Sequence, residues 1–149
     1  MQGFLSEVPE VARGPYDPEL FQVRGILAAQ QGRIREAKDA FLAAAERTGP
    51  LWTVRYDAYL HELAGDPDSA LLAYEEYLDT PDLRRFDLDQ ALLGPVLLRV
   101  AEIQISMGRT MAAGKTLDRL AELWRAADSG LRERLSSARR ALSATSPPT

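Results

Sequence analysis

The sequence predicts an all-α protein built as an α-α superhelix, or solenoid, of helix hairpins. Composition is the first observation, because Ala, Leu, Arg and Glu, which favour helices, dominate a chain with 46% hydrophobic and 27% charged residues. The second is an internal repeat, in which a glycine, an alanine five residues later and a large apolar residue four beyond it occur three times. At 149 residues the chain is long enough to bury the core of one compact domain.

Three residue types mark each copy of the repeat, and each has a physical reason. The glycine follows an apolar helix and can adopt the left-handed conformation that ends a helix, so it marks the turn inside a hairpin. The alanine lies where the two helices would cross, and the large residue one turn further is expected to fill the space between hairpins. The second copy follows the first by 33 residues and the third follows the second by 43. The copies are Gly32, Ala37 and Phe41; Gly65, Ala70 and Tyr74; and Gly108, Ala113 and Leu117.

Apolar recurrence at three and four residues predicts a helix on each side of every repeat glycine. The first helices are expected at about 18–31, 51–64 and 96–107, and the second helices at about 33–47, 67–79 and 110–126. Gly25 lies inside the first helix, where glycine is unfavourable by roughly 1 kcal/mol, so a close packing contact is expected there. Ala58 and Ala101 hold the matching positions in the other two copies.

About ten residues are inserted before the third copy. The segment 80–94 carries the turn signals Thr80-Pro81-Asp82 and Gly94-Pro95, with one or two helical turns expected between them. A last helix over 131–142 is expected to cover the apolar face of the final hairpin. The predicted organisation is an N-terminal extension over 1–16, a helical domain over 17–143 with repeats at about 18–50, 51–81 and 95–126 and a cap at 130–143, and a disordered tail over 144–149.

Charge and composition exclude several classes of function. A net charge of -4 and a pI near 5.1 argue against a nucleic-acid partner, which requires a basic surface. The charge is uneven, with a net -8 over residues 1–108 and +4 over 109–149, which two oppositely charged solvated faces would explain. The start of the chain has no signal-peptide pattern and no segment has the length of a membrane span, so no membrane partner and a cytoplasmic location are expected.

No residue pattern predicts catalysis, a metal site or a cofactor. There is no cysteine, and His61 is the only histidine, so paired-histidine zinc sites are excluded. The segment Gly108 to Thr116 ends like a phosphate-binding loop, but five residues instead of four separate its last two glycines, and it follows a helix rather than a strand. We therefore predict that the protein is not an enzyme.

The repeat resembles the tetratricopeptide repeat, or TPR. The resemblance is carried by the 33-residue period, by Gly25, Gly32, Ala37, Phe41 and Ala44 in the first copy, and by Ala58, Gly65, Ala70 and Tyr74 in the second. It covers residues 18–126; the departures are a period one residue shorter than the family's 34, the insertion at 80–94, and the lack of the usual proline after some second helices. It implies that the first helices line a concave groove that binds polypeptide segments.

Positions in the family indicate nine groove candidates. They are Gln22 and Ile26; Arg55, Tyr56, Tyr59 and Glu62; and Leu98, Arg99 and Glu102. One branch of the family binds a C-terminal carboxylate with lysines and asparagines, but the corresponding positions here hold Gln22, Ile26 and Tyr56, with only Arg99 basic. We therefore predict no carboxylate clamp. Trp52, Tyr56 and Tyr59 could provide an aromatic contact, although aromatic residues at this spacing are more often packing residues.

Two functional hypotheses follow. The first is an adaptor that binds a partner polypeptide through its groove or through the inserted segment. The alternative is a self-associating or spacer domain of a larger regulatory protein, so homo-oligomers remain possible.

Overall fold

The computed structural model describes the backbone of residues 18–48, 50–83 and 85–145. These residues form seven α-helices and no strand, which confirms the predicted all-α class. The extension predicted over 1–16 and the end of the predicted tail, 146–149, lie outside the described residues. The helices are α1 (Pro18–Gln30), α2 (Ile34–Thr48), α3 (Pro50–Leu63), α4 (Pro67–Asp79), α5 (Arg85–Ser106), α6 (Thr110–Leu123) and α7 (Ser129–Thr145).

The chain divides into two compact units, Met1–Asp66 and Pro67–Thr149. The first contains α1 to α3 and the second contains α4 to α7. The boundary falls inside the second predicted repeat, between α3 and α4, so the pairing of these two helices and the stacking of hairpins into a solenoid stay predictions. None of the helices in the described ranges combines the length and the apolar character needed to cross a membrane.

The three repeat glycines end three helices in the same way. Gly32, Gly65 and Gly108 have φ values of +72°, +73° and +70°, which confirms the predicted left-handed conformation. Each glycine N–H donates to the carbonyl three residues earlier, and the next residue donates to the carbonyl five residues earlier, over distances of 2.8 to 3.0 Å. This pair of hydrogen bonds is the Schellman motif, which satisfies carbonyls that the end of a helix leaves unpaired.

The core of the first unit is organised around the ring of Phe41 on α2. The ring lies flat against Tyr56 of α3, with the ring centroids 4.3 Å apart and the planes 5° from parallel. On α1, Gly25 is buried, and a Cβ there would lie 2.9 Å from Cζ of Phe41 and still closer to Cδ1 and Cε1. The packing contact expected at Gly25 is therefore confirmed, and the ring of Phe41 lies against both Gly25 and Tyr56.

The core of the second unit lies between α5, α6 and α7. Ala101, Ala113, Leu117 and Leu120 are at most 1% exposed and form its centre. Ala138 of α7 is buried against this core. Three half-buried residues of the same helix also pack against the core: Leu131, Leu135 and Leu142. The helix itself runs to Thr145, two residues into the segment 144–149 that was predicted to be disordered.

The turn predicted at Gly94-Pro95 is wrong, because α5 begins at Arg85 and continues through both residues to Ser106. Proline inside a helix removes one backbone hydrogen bond and costs about 3 kcal/mol. Tertiary packing offsets this cost, since Val96, Leu97 and Leu98 are all at most 4% exposed. Gly94 allows the indole of Trp124 to approach the helix, and a Cβ there would lie 2.9 Å from Cε2 and 3.0 Å from Cζ2 of that ring.

Arg85 connects the start of α5 to the end of α4. Its side chain is only 19% exposed, and its Nε donates to the carbonyl of Thr80 over 2.7 Å. A terminal nitrogen donates to the Asp89 carboxylate over 3.0 Å, and another donates to the carbonyl of Tyr77. These contacts fix the short link over residues 80–83, the part of the predicted insertion that does form a turn.

Candidate partner-binding cleft

The nine groove candidates fall into both units. Six lie in the first unit, where Ile26 is 41% exposed, Tyr56 is buried, and the other four are half-buried. Leu98, Arg99 and Glu102 lie on α5 in the second unit, where Leu98 is only 2% exposed and the other two are exposed. A groove shared by all nine residues stays a prediction.

Tyr56 is a core residue. Only 6% of it is exposed, its ring is stacked on Phe41, and the guanidinium of Arg55 lies 5.9 Å from its ring centroid. Burial raises the pKa of the phenol from 10.0 to about 12, and the positive charge of Arg55 opposes part of this shift. Tyr59 contacts the edge of Phe41, with 6.4 Å between the ring centroids. Tyr56 is therefore a packing residue in this structure, and its contact with a partner stays a prediction. The side chain of Trp52 lies outside the described residues.

Leu98 is likewise part of a core, and its neighbours on α5 form a surface. The Leu98 side chain is 2% exposed and belongs to the buried cluster that includes Leu97 and Leu117. Arg99 donates to the Glu102 carboxylate over 2.9 Å, and the two side chains are 46% and 43% exposed. Of the three candidates on α5, Arg99 and Glu102 are accessible.

An open cleft of about 380 Å³ lies between α5 and α7, beside Glu102. We call it the α5–α7 cleft. Residues spaced three or four apart occupy one face of a helix, and both walls have this spacing. The α5 wall consists of Glu102, Ile105 and Ser106, and the α7 wall of Arg134, Ser137, Ala138 and Ala141.

The cleft has an apolar floor and polar edges. Ile105 is 9% exposed and Ala138 is 7% exposed, and both belong to the core of the second unit, so the floor is held by the packing of α5 and α7. The Ser106 hydroxyl donates to the carbonyl of Ile103 over 2.8 Å. In contrast, the side chains of Arg134 and Ser137 form no hydrogen bond or ion pair with any of the described residues. The cleft can therefore offer an apolar contact together with two hydrogen-bonding groups.

The α7 wall was not among the predicted site residues. The sequence predicted the last helix only as a cap on the final hairpin. A usable signal was present in the stripe of small residues, Ser137, Ala138 and Ala141, which continues the face of Arg134. Small side chains beside a core leave room for a further chain to approach.

A second open cleft, of about 340 Å³, lies between α6 and α7. Met111 is 79% exposed at this site, and Lys115 lies near Asp118, whose carboxylate accepts a 3.1 Å hydrogen bond from Arg139. We call it the α6–α7 cleft. Its lining residues are Thr110, Met111, Gly114, Lys115, Asp118 and Leu142.

In the segment that resembles a phosphate-binding loop, Gly108 ends α5 and Thr110 to Thr116 form the first turns of α6. Thr116 donates to the side-chain oxygen of Gln104 over 2.9 Å. His61 lies near the end of α3, with its Nδ1 3.9 Å from the carboxylate of Asp66 and 40% of its side chain exposed. Within the ranges that the structure describes, no group of three or more His, Asp or Glu side chains could hold a metal ion.

Comparisons with protein-family models, with curated proteins and with solved structures gave no match to this chain. The resemblance to the TPR therefore stays a prediction.

Proposed function

We propose that this protein is a helical interaction module that binds a segment of a partner polypeptide in the α5–α7 cleft. The observation that supports the proposal most directly is the cleft itself, in which an apolar floor of Ile105 and Ala138 lies between the charged side chains of Glu102 and Arg134. An apolar centre with a polar rim is the usual arrangement of protein interfaces.

The size of the cleft favours a peptide over a rigid globular partner. A volume of 380 Å³ corresponds to roughly a dozen water molecules, which is room for a few side chains. The cleft is open to solvent, so a segment of an extended chain can enter it. The TPR resemblance adds independent support, because it implies that first helices of repeats line the binding surface, and α5 contains the predicted first helix of the third copy.

A selection from a displayed library of random short peptides tests the proposal, with the full chain as bait. Ala141→Trp would fill the cleft from an exposed position of α7, and Ala144→Trp places the same side chain on the same helix outside the cleft. We expect peptides selected by the wild-type chain to lose binding to Ala141→Trp in fluorescence anisotropy and to retain it with Ala144→Trp. Equal binding by both variants would contradict the proposal.

Self-association is a second candidate, and the α6–α7 cleft favours it. Met111 is largely exposed there, and Lys115 and Asp118 place opposite charges on one helix, which a two-fold contact between two copies can pair. Sedimentation at increasing concentration would test it, since Met111→Asp should abolish any dimer. A wild-type chain that stays monomeric throughout would exclude this candidate.

A further inference from the structure

We infer that the segment bound in the α5–α7 cleft carries a carboxylate beside an apolar side chain, and that Arg134 of α7 binds the carboxylate. This inference rests on the proposed function and adds the chemistry of the partner. It concerns a residue on the last helix and is therefore separate from the carboxylate clamp on the first helices, which the sequence predicts to be absent.

The balance of charges around the cleft favours an acidic partner. Two charged side chains line it, Glu102 on α5 and Arg134 on α7. Arg99 already neutralises Glu102 through a 2.9 Å ion pair. Arg134 has no such counter-ion among the described residues. The charge left uncompensated at the cleft is positive, so a carboxylate gains an attraction there that an ammonium group would not.

The rest of α7 strengthens this preference. The helix contains four arginines and one glutamate, a net charge of +3 over Ser129–Thr145. One of the four, Arg139, is engaged with the carboxylate of Asp118 over 3.1 Å. Charges act over about 8 to 10 Å at physiological ionic strength, so the arginines of a single helix raise the local potential felt by a bound segment.

Hydrogen-bonding geometry also suits a carboxylate. A guanidinium group presents paired N–H donors that match the two oxygens of a carboxylate. Ser137 lies three residues after Arg134 on the same face, and its hydroxyl is available to donate to the same group. Ala138 and Ala141, one and two turns after Arg134, supply the apolar contact, so the carboxylate and the apolar side chain of the partner should be close together in its sequence.

The experiment uses the peptides selected in the test of the proposed function. Each is compared with a control peptide of the same sequence in which Glu or Asp is replaced by Gln or Asn. We expect selected peptides to contain an acidic residue next to an apolar one, and the amide version to bind about tenfold more weakly. Arg134→Glu and the milder Arg134→Gln should reduce the affinity for the acidic peptide by a similar factor. Peptides with Lys in place of the acid should bind Arg134→Glu better than they bind the wild type.

Arg140→Glu provides the matched control, because Arg140 is an exposed arginine of the same helix that does not line the cleft. It should change the affinity by less than about threefold, through long-range electrostatics alone. Circular dichroism checks that every variant keeps its helices, which is expected because the Arg134 side chain is exposed.

The outcomes separate the two proposals. If Ala141→Trp abolishes binding but the amide peptides and Arg134→Glu bind as well as the originals, the inference is wrong and the proposed function stands. If equal losses occur with Arg134→Glu and Arg140→Glu, the attraction is diffuse and the role of Arg134 is refuted. If Ala141→Trp has no effect, the cleft does not bind the peptides and both proposals fail.

Discussion

Replacing Gly25 by alanine should destabilise the protein, although alanine is the better helix former. The new methyl group would lie 2.9 Å from Cζ of Phe41 and closer still to two other ring atoms. The ring has little freedom to move, because it is stacked on Tyr56 with 4.3 Å between the centroids. The clash must therefore be relieved by separating α1 from α2, which loosens the core of the first unit.

Two opposing contributions set the size of the effect. Overpacking a core typically costs 1 to 3 kcal/mol, and the rigid stack around Phe41 favours a value of about 3 kcal/mol. Alanine regains about 1 kcal/mol of helix propensity relative to glycine. We expect Gly25→Ala to lower the free energy of unfolding by about 2 kcal/mol. Urea denaturation followed by far-UV circular dichroism would measure this change.

Gly114 offers a matched control in α6, because a Cβ there would lie 3.9 Å from Cδ2 of Leu142, an ordinary contact. Gly114→Ala should therefore stabilise the protein by up to about 1 kcal/mol. In a Phe41→Leu background the flexible side chain can yield, so Gly25→Ala should cost less than half as much as in the wild type. The reasoning is refuted if Gly25→Ala stabilises the protein as Gly114→Ala does, or if Phe41→Leu leaves its cost unchanged.

Four further substitutions test the packing and the titration. Leu117→Ala, at a position only 1% exposed, should lower the free energy of unfolding by roughly 3 kcal/mol. Met111→Ala, at a position 79% exposed, should change it by less than about 0.5 kcal/mol. Similar values for the two variants would contradict the assigned core. Gly94→Ala should destabilise by about 1 to 3 kcal/mol and alter the near-UV circular dichroism of Trp124, and an unchanged spectrum would count against the indole contact. Because the pKa of Tyr56 is raised to about 12, the phenol ionises at a lower pH in the unfolded chain than in the folded chain. Its effect on the free energy of unfolding is therefore constant below about pH 10. Between pH 10 and 12 the free energy of unfolding falls by about 2 to 3 kcal/mol at most. Tyr56→Phe should remove that part of the alkaline loss in denaturation at several pH values, and identical pH profiles would show that the phenol is not buried.

Local sequence features predict several elements of this fold correctly. The repeat glycines take positive φ because the end of a helix needs a left-handed residue, and that requirement depends on a few neighbouring residues. Phe41, Tyr74 and Leu117 are all at most 7% exposed, and the repeat alanines before them are fully buried. Such features are visible in one sequence because they recur at a constant spacing.

The path of α5 and the identity of the accessible residues were decided only by tertiary structure. Gly94 and Pro95 favour a turn by their own preferences, but the indole of Trp124, thirty residues later, packs on Gly94, and buried residues beyond Pro95 keep the helix continuous. Tyr56 and Leu98 occupy positions that the family resemblance assigned to the groove, yet their neighbours bury them.

The candidate site shows the same division. The sequence by itself identified Glu102 as a surface candidate and predicted that the last helix covers the core. It could not place Arg134 opposite Glu102, because the two residues are 32 positions apart and their proximity depends on how α5 and α7 pack. Spacing along one helix follows from backbone geometry, whereas a cleft between two helices is a result of the whole core that holds them together.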